Sequence, residues 1–164
     1  MRLKQLNMPR HQYKKNKAKV DRTYHSVEIA KLINYVMIDG KKTVAEKIVY
    51  DMIDELKKQN LDPIKTLNSA INNVAPLHEV KPKRLGGASY LVPIDVRRER
   101  RLYLSLNWIV NAAKSRSNKE YHLFSQKLVA EILDASKNQG NAVTKKVQTE
   151  KLAETNKAFS HLKW

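Results

Sequence analysis

The chain contains no cysteine in its 164 residues. That absence removes disulfides, thiolate metal sites and cysteine nucleophiles together, and it fits a reducing compartment. Long apolar runs are missing too: none approaches the roughly 20 residues of a membrane-spanning helix, so no membrane partner is expected. Residues 1–20 carry positive charge with no apolar stretch behind it, which is not the pattern of a secretory signal. They are Lys-rich, whereas transit peptides favour Arg and Ser. Acidic residues are also few, 16 against 32 Lys and Arg, leaving a formal charge of +16. A folded domain of this size repels itself at such a charge, so the excess points to a polyanionic partner, usually nucleic acid. Hydrophobic residues, at 41 %, suffice for one core in one domain.

The periodicity is mainly helical. Ser26 stands where a helix cap belongs, and Ile29, Ile33, Val36 and Met37 follow at helical spacing until Asp39-Gly40. A second helix is expected over Lys42 to Lys58, with Ala45, Ile48, Val49, Met52 and Leu56 as its apolar stripe. Asp62-Pro63, a cap followed by proline at the first helical position, opens a third helix carrying Ile64, Leu67, Ile71 and Val74. The period then changes: Tyr90, Val92, Ile94 and Val96 alternate as in a strand, and Gly86-Gly87 between two extended runs reads as a hairpin turn. Pro82 and Pro93 each lack a ladder donor, so neither strand belongs inside a larger sheet. An exposed two-stranded arm at about 79–96 follows, and its tip needs something to firm up against. Helical spacing returns with Leu102, Leu106, Ile109, Val110 and Ala113. A fifth helix is expected over about Lys119 to Asn138, with Phe124, Leu128, Ile132 and Ala135 inward and Gly140 ending it. The last, about Lys145 to Leu162, is the least amphipathic, its large apolar residues being Leu152, Phe159 and Leu162. The expected fold is mainly α: a basic tail over 1–20, then a single six-helix domain over 21–164 with a protruding β-hairpin arm.

Three basic constellations stand out. Arg97, Arg98, Arg100 and Arg101 open the fourth helix, where positive charge opposes the macrodipole at about 0.3–1 kcal/mol each, so together they answer to an external anion or form a solvated face. Lys81, Lys83 and Arg84 precede Gly86-Gly87. The bare glycines let backbone approach a ligand and the basic side chains reach phosphates; the same lysines also serve to keep an edge strand soluble. Gly40-Lys41-Lys42-Thr43 lacks the upstream glycine and strand of a nucleotide-binding loop and reads as a helix–helix loop whose lysines face RNA. Catalysis lacks its parts. His11, His25, His78, His122 and His161 are scattered away from metal-ligand spacing, and Asp51, Asp54 and Glu55 accompany lysines on a solvated helix face. No enzyme activity, metal or cofactor is expected. Trp108 reads as core; Tyr90 is open between base stacking and packing of the arm.

Taken in order, Met37-Ile38-Asp39-Gly40-Lys41-Lys42, then Glu79-Val80-Lys81 with Arg84-Leu85-Gly86-Gly87-Ala88-Ser89-Tyr90-Leu91-Val92-Pro93, then Ala153 to Trp164 resemble one family: small-subunit ribosomal protein seven of the bacterial and organellar type. The resemblance runs from about Met8 onward. It implies a helical domain with a protruding hairpin, direct and early binding to small-subunit rRNA, and nucleation of the assembly of the subunit's head. It also implies a hairpin close to messenger RNA and the exit-site tRNA. The residues matching that hairpin are Lys83, Arg84, Gly86, Gly87 and Tyr90. The basic residues expected on rRNA are Arg10, Lys14, Lys15, Lys17 and Lys19 in the tail, Lys41 and Lys42 in the loop, and Lys81 on the arm. Further along they are Arg97, Arg98, Arg100, Arg101, Lys114, Arg116, Lys145 and Lys146. Phe159 and Trp164 resemble the region near the neighbouring protein eleven; protein nine is a second expected neighbour. The chain departs from the family in Met1 to Asn7, which looks like an extension, in a longer Ser117–Ser125, and in Val147 and Gln148.

Abundant Lys and Asn with scarce Arg fit an AT-rich genome, so the ribosome in question is that of a bacterial cytoplasm or of an organelle, plastid or mitochondrion. The competing reading is a helical DNA-binding regulator. It needs a recognition helix and a dimer surface, whereas the basic residues here spread over tail, loop, hairpin and helix, as suits a folded RNA wrapping the protein.

Overall fold

The computed structural model describes residues 19–162. Arg10, Lys14, Lys15, Lys17 and Trp164, expected at the interface, lie outside those residues. Six α-helices, one hairpin and a closing 3-10 helix follow in order. They are α1 (Val27–Val36), α2 (Lys42–Lys58), α3 (Pro63–Val74), β1 (His78–Leu85), β2 (Ala88–Asp95), α4 (Arg98–Ser115), α5 (Phe124–Ser136), α6 (Asn141–Thr155) and the 3-10 turn Lys157–Leu162.

α1 and α3 begin where local chemistry dictates. The Ser26 hydroxyl accepts from the Ile29 amide and the Asp62 carboxylate from the amides of Ile64 and Lys65, satisfying donors that a helix start otherwise leaves unpaired. α2 occupies the expected Lys42–Lys58. The core is one cluster in which Leu32, Val49, Leu56, Val74, Leu106, Ile109, Leu128 and Ile132 are sealed from solvent. Trp108 packs against it, half-buried. Ile53 and Ala70 join this core although the apolar stripes read from sequence omitted them, while Ile64 is exposed and Ile48 only half-buried.

Boundaries differ from expectation at the start of α5 and at both ends of α6, which stops at Thr155 and gives way to the 3-10 turn Lys157–Leu162 instead of running on to Leu162. α5 begins at Phe124 rather than Lys119, because 117–123 forms a turn in which the Lys119 amide bonds the Ser117 hydroxyl. α6 begins at Asn141, four residues before Lys145, and Gly140 is its N-cap rather than the stop of α5. The chain reverses instead at Asn138, whose φ of 60° is left-handed. Glycine has no side chain to cap α6, so the cap comes from elsewhere: Glu131 on α5 is fully buried and accepts from the Ala142 amide at 3.1 Å. A Cβ on Gly140 would lie 3.0 Å from that same carboxylate oxygen, and the φ of +93° already favours glycine.

The hairpin is as read, an antiparallel pair closed by Gly86-Gly87 with Leu85 opposite Ala88. Both glycines have positive φ, the requirement of a two-residue hairpin turn matching strand twist. The arm is not free-standing, however. Val92 is fully buried, the Tyr90 and Phe159 rings lie 5.3 Å apart, and the Lys83 ammonium donates to the Leu162 carbonyl at 3.3 Å. α6 and the 3-10 turn thus cover one side of the arm, supplying the burial that an isolated two-stranded hairpin lacks.

Candidate nucleic-acid interface

Two grooves beside α1 are lined in part by basic residues. On one side, a groove of about 750 Å³ is lined by Lys19, Arg22, Lys31, Asn34 and Lys42 together with Tyr50. Its wall is held by Asp21, a buried carboxylate that accepts from the Thr23 amide at 3.0 Å, the Tyr24 amide at 2.9 Å and the Tyr50 hydroxyl at 2.9 Å. Burial pushes this carboxyl up, but the bonds from Tyr24, Tyr50 and Thr23 outweigh it and hold the group below its ordinary range. The latch joins the segment following the tail to α2, and so fixes the direction in which Lys19 and Arg22 project. Tyr24 lies tilted on Tyr50 with ring centroids 5.9 Å apart, and the Lys57 ammonium stands over it at 4.9 Å.

On the other side of α1, a second groove of about 750 Å³ is lined by Val27 and Glu28 of α1, Asn68 and Asn72 of α3, and Arg98, Glu99 and Arg101 of α4. Arg97 is the N-cap of α4 and makes no side-chain cap; Arg97, Arg98 and Arg100 are exposed. Glu99 is the one acidic residue in this first turn, so most of the charge there opposes the macrodipole. Arg100 is not free: it bonds Glu79 at 3.3 Å and lies over the Tyr103 ring at 5.0 Å. Arg101 is half-buried, and its Nε is shielded from water with no hydrogen-bond partner among the described residues. A buried donor left unmatched costs about 1–3 kcal/mol.

Several expected contacts are placed differently. Arg116 turns inward: its guanidinium bonds Glu131 at 2.6 and 2.9 Å and also pairs with Asp134. Burial disfavours its charge, yet the bonds to Asp134 and Glu131 prevail and raise its pKa. Lys146 donates to the Asn73 carbonyl at 3.0 Å, closing the end of α3. Both side chains belong to the packing of α3–α6 and are withdrawn from the basic surface. Lys114 and Lys145 are exposed on α4 and α6. Lys41 and Lys42 are exposed at the α1–α2 loop, Lys42 lying 3.8 Å from Glu46. On the arm Lys81 and Arg84 are exposed, Lys83 is held by Leu162, and Gly86 and Gly87 face open space. Tyr90 is half-buried, its ring packed against that of Phe159.

The reading of the sequence missed Arg22 and Lys31. Arg22 stands three residues after Lys19, just past the tail, while Lys31 has no basic neighbour in sequence but falls on the outer side of the α1 stripe. Among the described residues no group of His, Asp and Glu could hold a metal ion, and no helix is long and apolar enough to cross a membrane.

The sequence is similar to those of known proteins. The chain is 50 % identical over 145 residues to small ribosomal subunit protein uS7 of Caldanaerobacter subterraneus, covering 88 % of this chain and 91 % of that protein. It is 47 % identical over 152 residues to uS7 of Caldicellulosiruptor bescii, covering 92 % and 96 %, and 47 % identical over 146 residues to uS7 of Phenylobacterium zucineum, covering 88 % and 91 %. These relatives are ribosomal proteins rather than enzymes. The family model described as ribosomal protein S7p/S5e matches residues 8–157, and the chain therefore belongs to that family.

Proposed function

We propose that this chain is an rRNA-binding structural component of the small ribosomal subunit, in a bacterial or organellar ribosome, that seeds assembly of the subunit's head. The observation that carries the reading is the pair of cation-bearing grooves flanking α1. One is lined by Lys19, Arg22, Lys31 and Lys42; the other by Arg98 and Arg101 of α4 beside Glu28 and Glu99. Two grooves about one helix suit a folded RNA whose phosphate backbones pass on both sides, with little need for base-edge contacts. A DNA-reading helix would instead concentrate its basic and amide residues on one protruding face.

The hairpin is assigned to messenger RNA and the exit-site tRNA, through Arg84 and the bare Gly86-Gly87 backbone. The carboxyl-terminal turn with Phe159 is assigned to a neighbouring protein such as protein eleven, and protein nine is a second neighbour. The test is to express the chain with an affinity tag, isolate particles, and ask whether it sediments with the small subunit and binds a naked small-subunit rRNA fragment. Sedimentation with the subunit but no affinity for naked rRNA would demote it from seed to late joiner. Absence from the subunit would refute the assignment.

A further inference from the structure

We infer that the groove between the base of the hairpin and the carboxyl-terminal helix docks a Lys/Arg-rich segment of another protein. The inference rests on the chain being one part of an assembly. The groove encloses about 450 Å³ over an apolar floor of Leu77, Pro93 and Ala153, with Asp95, Glu150 and Glu154 at its edges. Leu77 stays 56 % exposed, the most open leucine side of the hairpin base, although its amide is pinned by a 2.9 Å bond to Glu150. Within the groove three carboxylates face one lysine, Lys157, and His78, which lies 3.1 Å from Asp95.

On a chain of net charge +16 this is a local reversal of sign. Carboxylates repel phosphate, so the nucleic acid assigned to the rest of the surface is the wrong occupant here. Arginine and lysine carry apolar stems below a charged head, and such side chains match an apolar floor with an acidic edge. Charge complementarity of this kind also orients the partner before contact and excludes acidic competitors. A basic peptide segment is the occupant that satisfies both features of the groove.

The test uses the full chain and a fluorescein-labelled decapeptide of alternating Lys and Arg, followed by anisotropy at low salt. Asp95→Asn combined with Glu154→Gln should weaken binding about tenfold or more. Asp51→Asn with Asp54→Asn, a matched loss of acid on the outer face of α2, should change it less than about twofold. Hydrogen exchange on the complex should slow at Leu77 and His78 and over 153–160. Equal weakening by both pairs would reduce the effect to general electrostatics and overturn the proposal. So would binding that appears only after residues 1–18 are removed, since the occupant would then be the chain's own tail. The groove variant should also bind the rRNA fragment as the parent does; a loss there would assign the groove to RNA instead. Failure of the parent chain to bind rRNA would refute the proposed function while leaving the peptide result standing.

Discussion

At the residue scale, the charges divide into those that hold the fold and those left for a partner, and sequence alone does not separate them. Arg116 and Arg101 look alike in the chain, yet Arg116 is spent on buried Glu131 and on Asp134 while Arg101 keeps an unmatched Nε. Removing one side of a buried ion pair leaves a charge stranded, at about 3–5 kcal/mol. Arg116→Met is therefore expected to lower the urea unfolding free energy by about that amount, whereas Arg101→Met should leave it within about 1 kcal/mol and weaken RNA binding instead. A reversed pattern would show that the two roles have been exchanged. Asp21 gives a pH signature. Its carboxyl titrates below the ordinary range when folded, so the stability it supplies is complete above that range and is lost as pH falls through the folded value. Thermal midpoints should drop below about pH 4, and Asp21→Asn should be less stable at neutral pH while showing a shallower acid decline. Parallel pH profiles would contradict the latch.

Elements were legible to the extent that their determinants are local. Ser26 and Asp62-Pro63 fix the starts of α1 and α3 within three or four residues of sequence, and both were readable. α6 was not, because its cap comes from Glu131, eleven residues upstream of Ala142, and its buried contacts are Ala142 and Ala153 rather than large side chains. The hairpin was readable as strands and turn from Gly86-Gly87 and the alternation to Val96. Its support was not, since Tyr90–Phe159 and Lys83–Leu162 are contacts between distant segments. That support alters what shortening the arm should do. Replacing Lys83 to Tyr90 by a two-residue turn should still leave the helical domain folded and able to enter small subunits, because Arg97, Arg98, Arg101, Lys41 and Lys42 remain. It should also loosen the 3-10 turn Lys157–Leu162, detectable as faster amide exchange there, and disturb frameshifting or tRNA release. Loss of incorporation would make the arm an assembly element; unchanged decoding would leave Gly86-Gly87 a turn without a task.

For the whole molecule, the distribution of charge matters more than its total. The Arg-rich start of α4 is held on a helix, while residues 1–7 precede the matched family region. Substituting Gln at Arg97, Arg100 and Arg101 should therefore reduce incorporation into subunits more than deleting Met1 to Asn7; equal defects would return the cluster to a solvated face. The most direct measurement is the salt dependence of binding to a small-subunit rRNA fragment. If about 6–10 phosphates are neutralised by the two grooves and the arm, affinity should fall about 10³–10⁵-fold between 50 and 200 mM salt. An affinity that scarcely changes across that interval would contradict phosphate-dominated binding.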